Sequence, residues 1–139
     1  MSNATINRPM LYKNILLIDD DSDDAEIFVE AVDSLQKQII CRTSNNALKS
    51  FEGLKIAEDL PDLVFVDFSM PALNGREFIE KMKSVKRLQY IPIILMSSHA
   101  VEVLCELTQK LEGVSYMTKP NSFQELVIKL NEVLTKMQD

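Results

Sequence analysis

Five short apolar runs, each followed by a stretch of helical spacing, alternate through the whole of this 139-residue chain. The runs are Ile15–Ile18, the QIIC segment ending at Cys41, Leu63–Val66, Ile91–Met96 and Val114–Met117. The first, ILLI, shows no polar alternation, the pattern of a strand covered on both faces. Between the runs, Ala25, Ile27, Phe28, Ala31, Val32 and Leu35 space out a first helix, and Ala47, Leu48, Phe51 and Leu54 a second. The third is expected from Asn74 to Leu88, with Phe78, Ile79, Met82 and Val85 inward, and the fourth from Val101 to Leu111. Ser122 with Glu125 three residues later forms a capping box for the last. Pro61 and Pro71 bound the third strand. Strict alternation predicts an α/β fold: a five-stranded parallel sheet, doubly wound, with helices on both faces. No repeat, linker or low-complexity segment divides the chain, so one domain is expected, with its core at about 13–136 and a polar extension at 1–12.

In such sheets ligands bind beyond the carboxyl ends of the strands, so chemistry is sought where each apolar run stops. The first run stops at Asp19, Asp20 and Asp21, and the third at Asp67. Two carboxylates about 4 Å apart at an effective dielectric of about 20 repel by roughly 4 kcal/mol, so such a group requires a counter-charge. A hard divalent cation fits an all-oxygen set, and Mg²⁺ in particular is commonly held by a few carboxylates together with a phosphate. The fourth run ends at Ser97, and Lys119–Pro120 follows the fifth. A hydroxyl and an ammonium suit the remaining oxygens of a phosphoryl group, whose transfer is catalysed mainly by positioning and charge neutralisation. Taken singly, each residue has a plainer explanation: the acidic triplet as a helix cap, Asp67 as a turn, Ser97 as a local backbone partner, Lys119 as a surface charge. Their joint placement at four strand ends argues for a site.

The same residues resemble the receiver domains of response regulators, over about Lys13 to Lys136. The resemblance is carried by NILLIDDDS, DLVFVDFSMPALNG, PIILMSS and SYMTKP, and most specifically by the D-x-x-M-P-x-x-x-G string from Asp67 to Gly75. It implies the flavodoxin-like three-layer sandwich, with Asp67 as phosphoacceptor and Mg²⁺ bound by Asp19, Asp20, Asp67 and the main-chain carbonyl of Ser69. It also implies Ser97 and Tyr116 as switch residues, Lys119 as the phosphoryl-binding cation, and Ser69 and His99 as positions that tune lifetime; His99 is equally readable as an ordinary loop residue. Ser97 stands where threonine is commoner and Asn121 where an aromatic residue is frequent. The implied partners are a sensor histidine kinase or a phosphotransfer protein, and a downstream protein target. With no effector domain expected after the receiver, output would pass through a face spanning Val101 to Leu134, used for self-association or for a separate target. Such a chain is a phosphorylation substrate that assists its own phosphorylation and dephosphorylation, not a conventional enzyme.

A formal net charge of −6 argues against direct binding to nucleic acid or to an anionic membrane. The basic cluster Lys81, Lys83, Lys86 and Arg87 is expected to be the solvated side of a helix. No apolar run approaches the ~20 residues that span a bilayer and no signal peptide opens the chain, so a cytoplasmic location without membrane insertion is expected. Cys41 and Cys105, far apart in sequence, are expected to be reduced, buried thiols. A haloacid-dehalogenase-type hydrolase would share the aspartate, Ser and Lys, but the acidic pair it needs after the lysine is missing. An EF-hand reading of Asp19, Asp21, Asp23 and Glu30 puts Asp24 where a glycine must turn. A degenerate receiver would lack part of the set Asp19, Asp20, Asp67, Ser97 and Lys119.

Overall fold

A computed structural model of the protein describes residues 12–68, 75–98 and 102–135. Five strands, β1 (Asn14–Ile18), β2 (Ile40–Ser44), β3 (Leu63–Asp67), β4 (Ile93–Ser97) and β5 (Val114–Thr118), alternate with five helices. These are α1 (Ser22–Ser34), α2 (Ala47–Ile56), α3 (Gly75–Ser84), α4 (Glu102–Lys110) and α5 (Phe123–Thr135). All strands are parallel, in the order β2-β1-β3-β4-β5. The chain therefore winds one way from β1 to β2 and the other way from β3 onward. The crevice between the carboxyl ends of β1 and β3 is the topological switch point, where such folds bind ligands.

β3 and β4 are buried along their full length, as their unbroken apolar runs predict. Alternate side chains feed two cores. On one face, Val64, Val66, Ile93 and Leu95 pack with Phe51 and Leu54 of α2 and with Phe78, Ile79 and Met82 of α3. On the other, Ile15, Leu17, Phe65 and Met96 meet Phe28 and Val32 of α1 and Leu130 and Leu134 of α5. Phe28 and Phe65 meet edge to face, ring centres 5.0 Å apart. Burying one such side chain is worth about 1.5–3 kcal/mol. At the start of the sheet, the Asp62 carboxylate accepts from the Lys13 and Asn14 amides, both at 3.0 Å, and anchors β1 beside β3.

Several expectations need correction. The second strand is not QIIC but ICRTS, from Ile40 to Ser44; as an edge strand it is only half covered, so its sequence need not be apolar. The third helix ends at Ser84 instead of reaching Leu88. Beyond it, Leu88 is pulled fully into the core by turns closed through Leu88 N–H to Val85 O (3.0 Å) and Ile91 N–H to Leu88 O (3.2 Å). The basic cluster is not simply solvated. Arg87 donates to the carbonyls of Leu54 (3.0 Å), Lys55 (2.9 Å) and Ala57 (2.6 Å), satisfying the end of α2, where four carbonyls lack helical partners. Lys83 ties the end of α3 to the turn before β5 through the carbonyls of Gln89 (2.9 Å) and Glu112 (2.6 Å). Burial lowers its ammonium below the usual lysine value, against the raising charge of Glu112. Cys41 and Cys105 are free and half-buried. Among the described residues no helix is long and apolar enough to cross a membrane.

Candidate functional site

The register explains why residues distant in sequence share one edge. Ile18 pairs with Val66, so Asp19 and Asp67 leave β1 and β3 at the same level on either side of the switch point. Asp67 pairs with Met96, which places Ser97 one step beyond it on β4, and Ser97 pairs with Thr118, immediately before Lys119. The Lys119 amide donates to the Ser97 carbonyl at 2.7 Å, and the Asp19 amide to the Ser44 carbonyl at 2.9 Å, so both chains are held as they leave the sheet.

The acidic triplet divides by role. Asp21 caps α1: its carboxylate accepts from the amides of Asp23 (2.9 Å) and Asp24 (3.1 Å), which is the plainer reading of the triplet realised at one of its three positions. Asp20 is exposed and, with Asp19, borders an open cleft of about 660 Å³ that runs between α1 and the end of β2. Asp19 is buried at 4% exposure, accepting from the Asp21 amide at 3.0 Å, and Asp67 is buried at 3%.

Lys119 supplies the counter-charge. Its Nζ is 2.7 Å from Asp67 Oδ2, 3.1 Å from Asp24 Oδ2 and 3.8 Å from Asp19 Oδ2. Burial pushes the Asp19 carboxyl up to about 6; the Asp67 charge adds to this, while the Asp21 amide and Lys119 oppose it. Burial alone would lower the Lys119 ammonium, but hydrogen bonds to Asp67 and Asp24 and the charges of Asp67 and Asp19 raise it above the usual lysine value. Among the described residues, the carboxylates of Asp19, Asp24 and Asp67 offer oxygens within 4.8 Å of one another. Three carboxylates face one ammonium, so the site keeps a surplus of negative charge.

Of the residues singled out in the sequence, Asp19, Asp67 and Lys119 are brought into one site, and Ser97, buried at the end of β4, lies on the strand next to Asp67. Tyr116 is 44% exposed on β5, and its hydroxyl accepts from the Cys105 thiol of α4 at 3.1 Å. Ser69 and His99 lie outside the described residues. Asp24 was not foreseen. Its only sequence signal is its place among the acids in the first turn of α1. Gly75, which ends the D-x-x-M-P-x-x-x-G string, has a steric reason: a Cβ there would lie 2.9 Å from the Phe68 ring.

A parallel 2-1-3-4-5 sheet with buried acids and a lysine at its switch point has the architecture of the receiver class. The profile described as response regulator receiver domain matches residues 15–131, and the chain belongs to that family. The hybrid signal transduction histidine kinase D of Dictyostelium discoideum is 32% identical over 125 residues, covering 88% of this chain and 8% of the kinase. The phosphorylated cyanobacterial phytochrome response regulator RcpA superposes with a TM-score of 0.78 at 23% identity, over 92% of this chain and 97% of that one. The Mn²⁺-bound response regulator Rcp1 does so with a TM-score of 0.76 at 20% identity, over 91% and 97%. The chain spans about half, or far less, of the length of the curated relatives it matches.

Proposed function

We propose that this domain is a phosphorylation switch: Asp67 accepts a phosphoryl group from a histidine-bearing donor, either a sensor kinase or a phosphotransfer protein, and the modified edge alters a protein-binding face. The observation that carries this is the 2.7 Å contact between the Lys119 ammonium and the buried Asp67 carboxylate at the switch point. An Asp67 oxygen bonds to phosphorus while the donor's P–N bond breaks, its electron pair remaining on the imidazole. Lys119 then follows the charge from the carboxylate onto a phosphoryl oxygen. The Ser97 hydroxyl would bond another.

Asp19 and Asp67 offer buried carboxylate oxygens and Asp20 an exposed one beside them, an all-oxygen set that suits a hard dication. Asp19, Asp20, Asp67 and the Ser69 carbonyl would hold Mg²⁺, whose contribution when bound is to neutralise phosphoryl oxygens. That Rcp1 is a Mn²⁺-bound relative of the same fold supports the choice. A cleft of about 370 Å³ where α1 and α5 meet has Lys119 at its edge and partly exposed Ile27 and Phe123 on its walls, an apolar footing for a donor.

Phosphorylation adds nearly two negative charges at the edge. A Ser97 hydrogen bond to the new oxygens would draw the segment after β4 toward Asp67 and free Tyr116 to turn inward, changing the surface of α4, β5 and α5. The use of that face is docking of a target or self-association. Amide shifts recorded with beryllofluoride and Mg²⁺ test this. Large changes at Asp67, Ser97 and Lys119 together with Tyr116 and α4 are expected; an unchanged site would refute the phosphoacceptor, and changes limited to the site would refute the switch.

A further inference from the structure

We propose that Asp24 is a positioning residue for phosphoryl transfer, holding the Lys119 ammonium over Asp67, and is not a metal ligand. This rests on the assignment of Asp67 as phosphoacceptor and extends it to a residue outside the receiver motifs.

The three carboxylates that come together, Asp19, Asp24 and Asp67, look at first like a cation site, since their oxygens lie within 4.8 Å of one another. The cation is already there. Lys119 Nζ stands 2.7, 3.1 and 3.8 Å from oxygens of Asp67, Asp24 and Asp19 respectively. A dication on the same three oxygens would press against the ammonium, which sets Asp24 apart from the residues that would hold Mg²⁺. What remains for Asp24 is the lysine.

A lysine side chain is a point charge on a flexible four-carbon stem, and a single hydrogen bond leaves it free to swing. Here it has two acceptors on two different elements: Asp67 at the end of β3 and Asp24 in the first turn of α1. The Asp24 end is itself fixed, because its amide is capped by Asp21 at 3.1 Å. The burial of the two acceptors differs in a way that fits the assignment. The Asp67 side chain is 4% exposed and the Asp24 side chain 47%, so removing the Asp24 carboxylate leaves the core untouched. An ammonium has three hydrogens. When a phosphoryl group joins Asp67, one N–H of the ammonium turns its hydrogen bond to a phosphoryl oxygen while another still donates to Asp24, so the lysine reaches the new charge without searching for it. Asp24 makes and breaks no bond in the transfer, in which the Asp67 oxygen bonds to phosphorus and the donor's bond to phosphorus breaks with its electron pair leaving on the donor.

The test compares the full chain with Asp24→Ala and Asp24→Asn, following initial phosphorylation by acetyl phosphate and Mg²⁺ with intact mass spectrometry. Mg²⁺ alone is titrated in parallel by amide shifts. Asp24→Ala should phosphorylate about two- to fivefold more slowly, the range set by a part-exposed ion pair. Asp24→Asn keeps an oxygen that can accept from the ammonium and should recover at least about half the wild-type rate. The Mg²⁺ midpoint should move less than about threefold in either variant, whereas loss of a ligand costs about tenfold or more. A tenfold weaker Mg²⁺ midpoint in Asp24→Ala would make Asp24 a ligand and overturn the proposal. So would Asp24→Ala transferring as fast as wild type or faster, or Asp24→Asn being as slow as Asp24→Ala. A wild-type chain that takes no phosphoryl group would remove the phosphoacceptor itself, whereas normal wild-type labelling beside unaffected variants sinks only the role of Asp24.

Discussion

Replacing Lys119 by methionine keeps most of the length of the side chain and removes the only ammonium that the described structure places against Asp19, Asp24 and Asp67. The loss can be bounded from the geometry. Deleting one partner of a fully buried pair costs about 3–5 kcal/mol, and a hydrogen bond to a charged group is worth about 1.5–3 kcal/mol. The Lys119 side chain is 22% exposed and its Asp24 partner 47%, so solvent softens both figures and the exposed half of the interaction contributes little. We expect a folded variant that is less stable by about 2 kcal/mol at pH 7.5 without Mg²⁺, roughly 6 °C in Tm for a domain of this size. The deficit should depend on pH with a defined sign. Asp19 faces Asp67, Lys119 and the Asp21 amide, and burial first, with the Asp67 charge, holds its carboxyl up at about 6 against an ordinary 3.8. A carboxyl raised in the folded state binds protons more tightly there than when unfolded, so stability falls as pH rises from about 4 to about 6. Without Lys119 that fall steepens, and the deficit should be largest above pH 6 and shrink toward pH 5 as Asp19 takes up a proton. Urea unfolding of both proteins at pH 7.5 and pH 5 measures it. Equal stability at pH 7.5, or a deficit of the same size at both values, would refute Lys119 as the counter-charge of this site.

Arg87→Ala strands three carbonyls at the end of α2 and should cost about 1–2 kcal/mol in urea unfolding, with Arg87→Lys recovering only part because an ammonium cannot span all three. Burial pushes the Cys41 thiol up to about 12, helped by the Asp33 charge, so in a Cys105→Ser background its modification at pH 8 should be about a hundredfold or more slower than in urea; comparable rates would contradict its burial. Phe65→Ala, at the centre of the sheet and edge to face with Phe28, should cost about 3–5 kcal/mol by calorimetry, and a loss under about 1 kcal/mol would refute the packing described.

The parts of the fold that were legible in the sequence are those buried on both sides. β3 and β4 must be apolar throughout, so LVFV and IPIILM announce themselves, and Asp67 and Ser97 are found by asking where they end. The edge strand ICRTS had no such obligation and was displaced onto the apolar QIIC before it. The basic residues after α3 misled for a related reason: helical spacing continues through Lys86, Arg87 and Leu88, but the chain turns there instead, and the partners that employ Arg87 are the carbonyls at the end of α2, 30 to 33 residues away. Asp24 was hidden because a carboxylate in a first helical turn is ordinary; only the meeting of α1 with the loop after β5 gives it Lys119.

Asp67 is proposed as the phosphoryl acceptor, and mapping the residue that carries the phosphoryl group decides it. The full chain, incubated with acetyl phosphate with and without Mg²⁺, should gain one phosphoryl group on the peptide carrying Asp67, and only with the metal. Asp67→Asn should gain none. Labelling of Asp67→Asn at the wild-type level, or labelling of the wild type that persists in chelator, would contradict it.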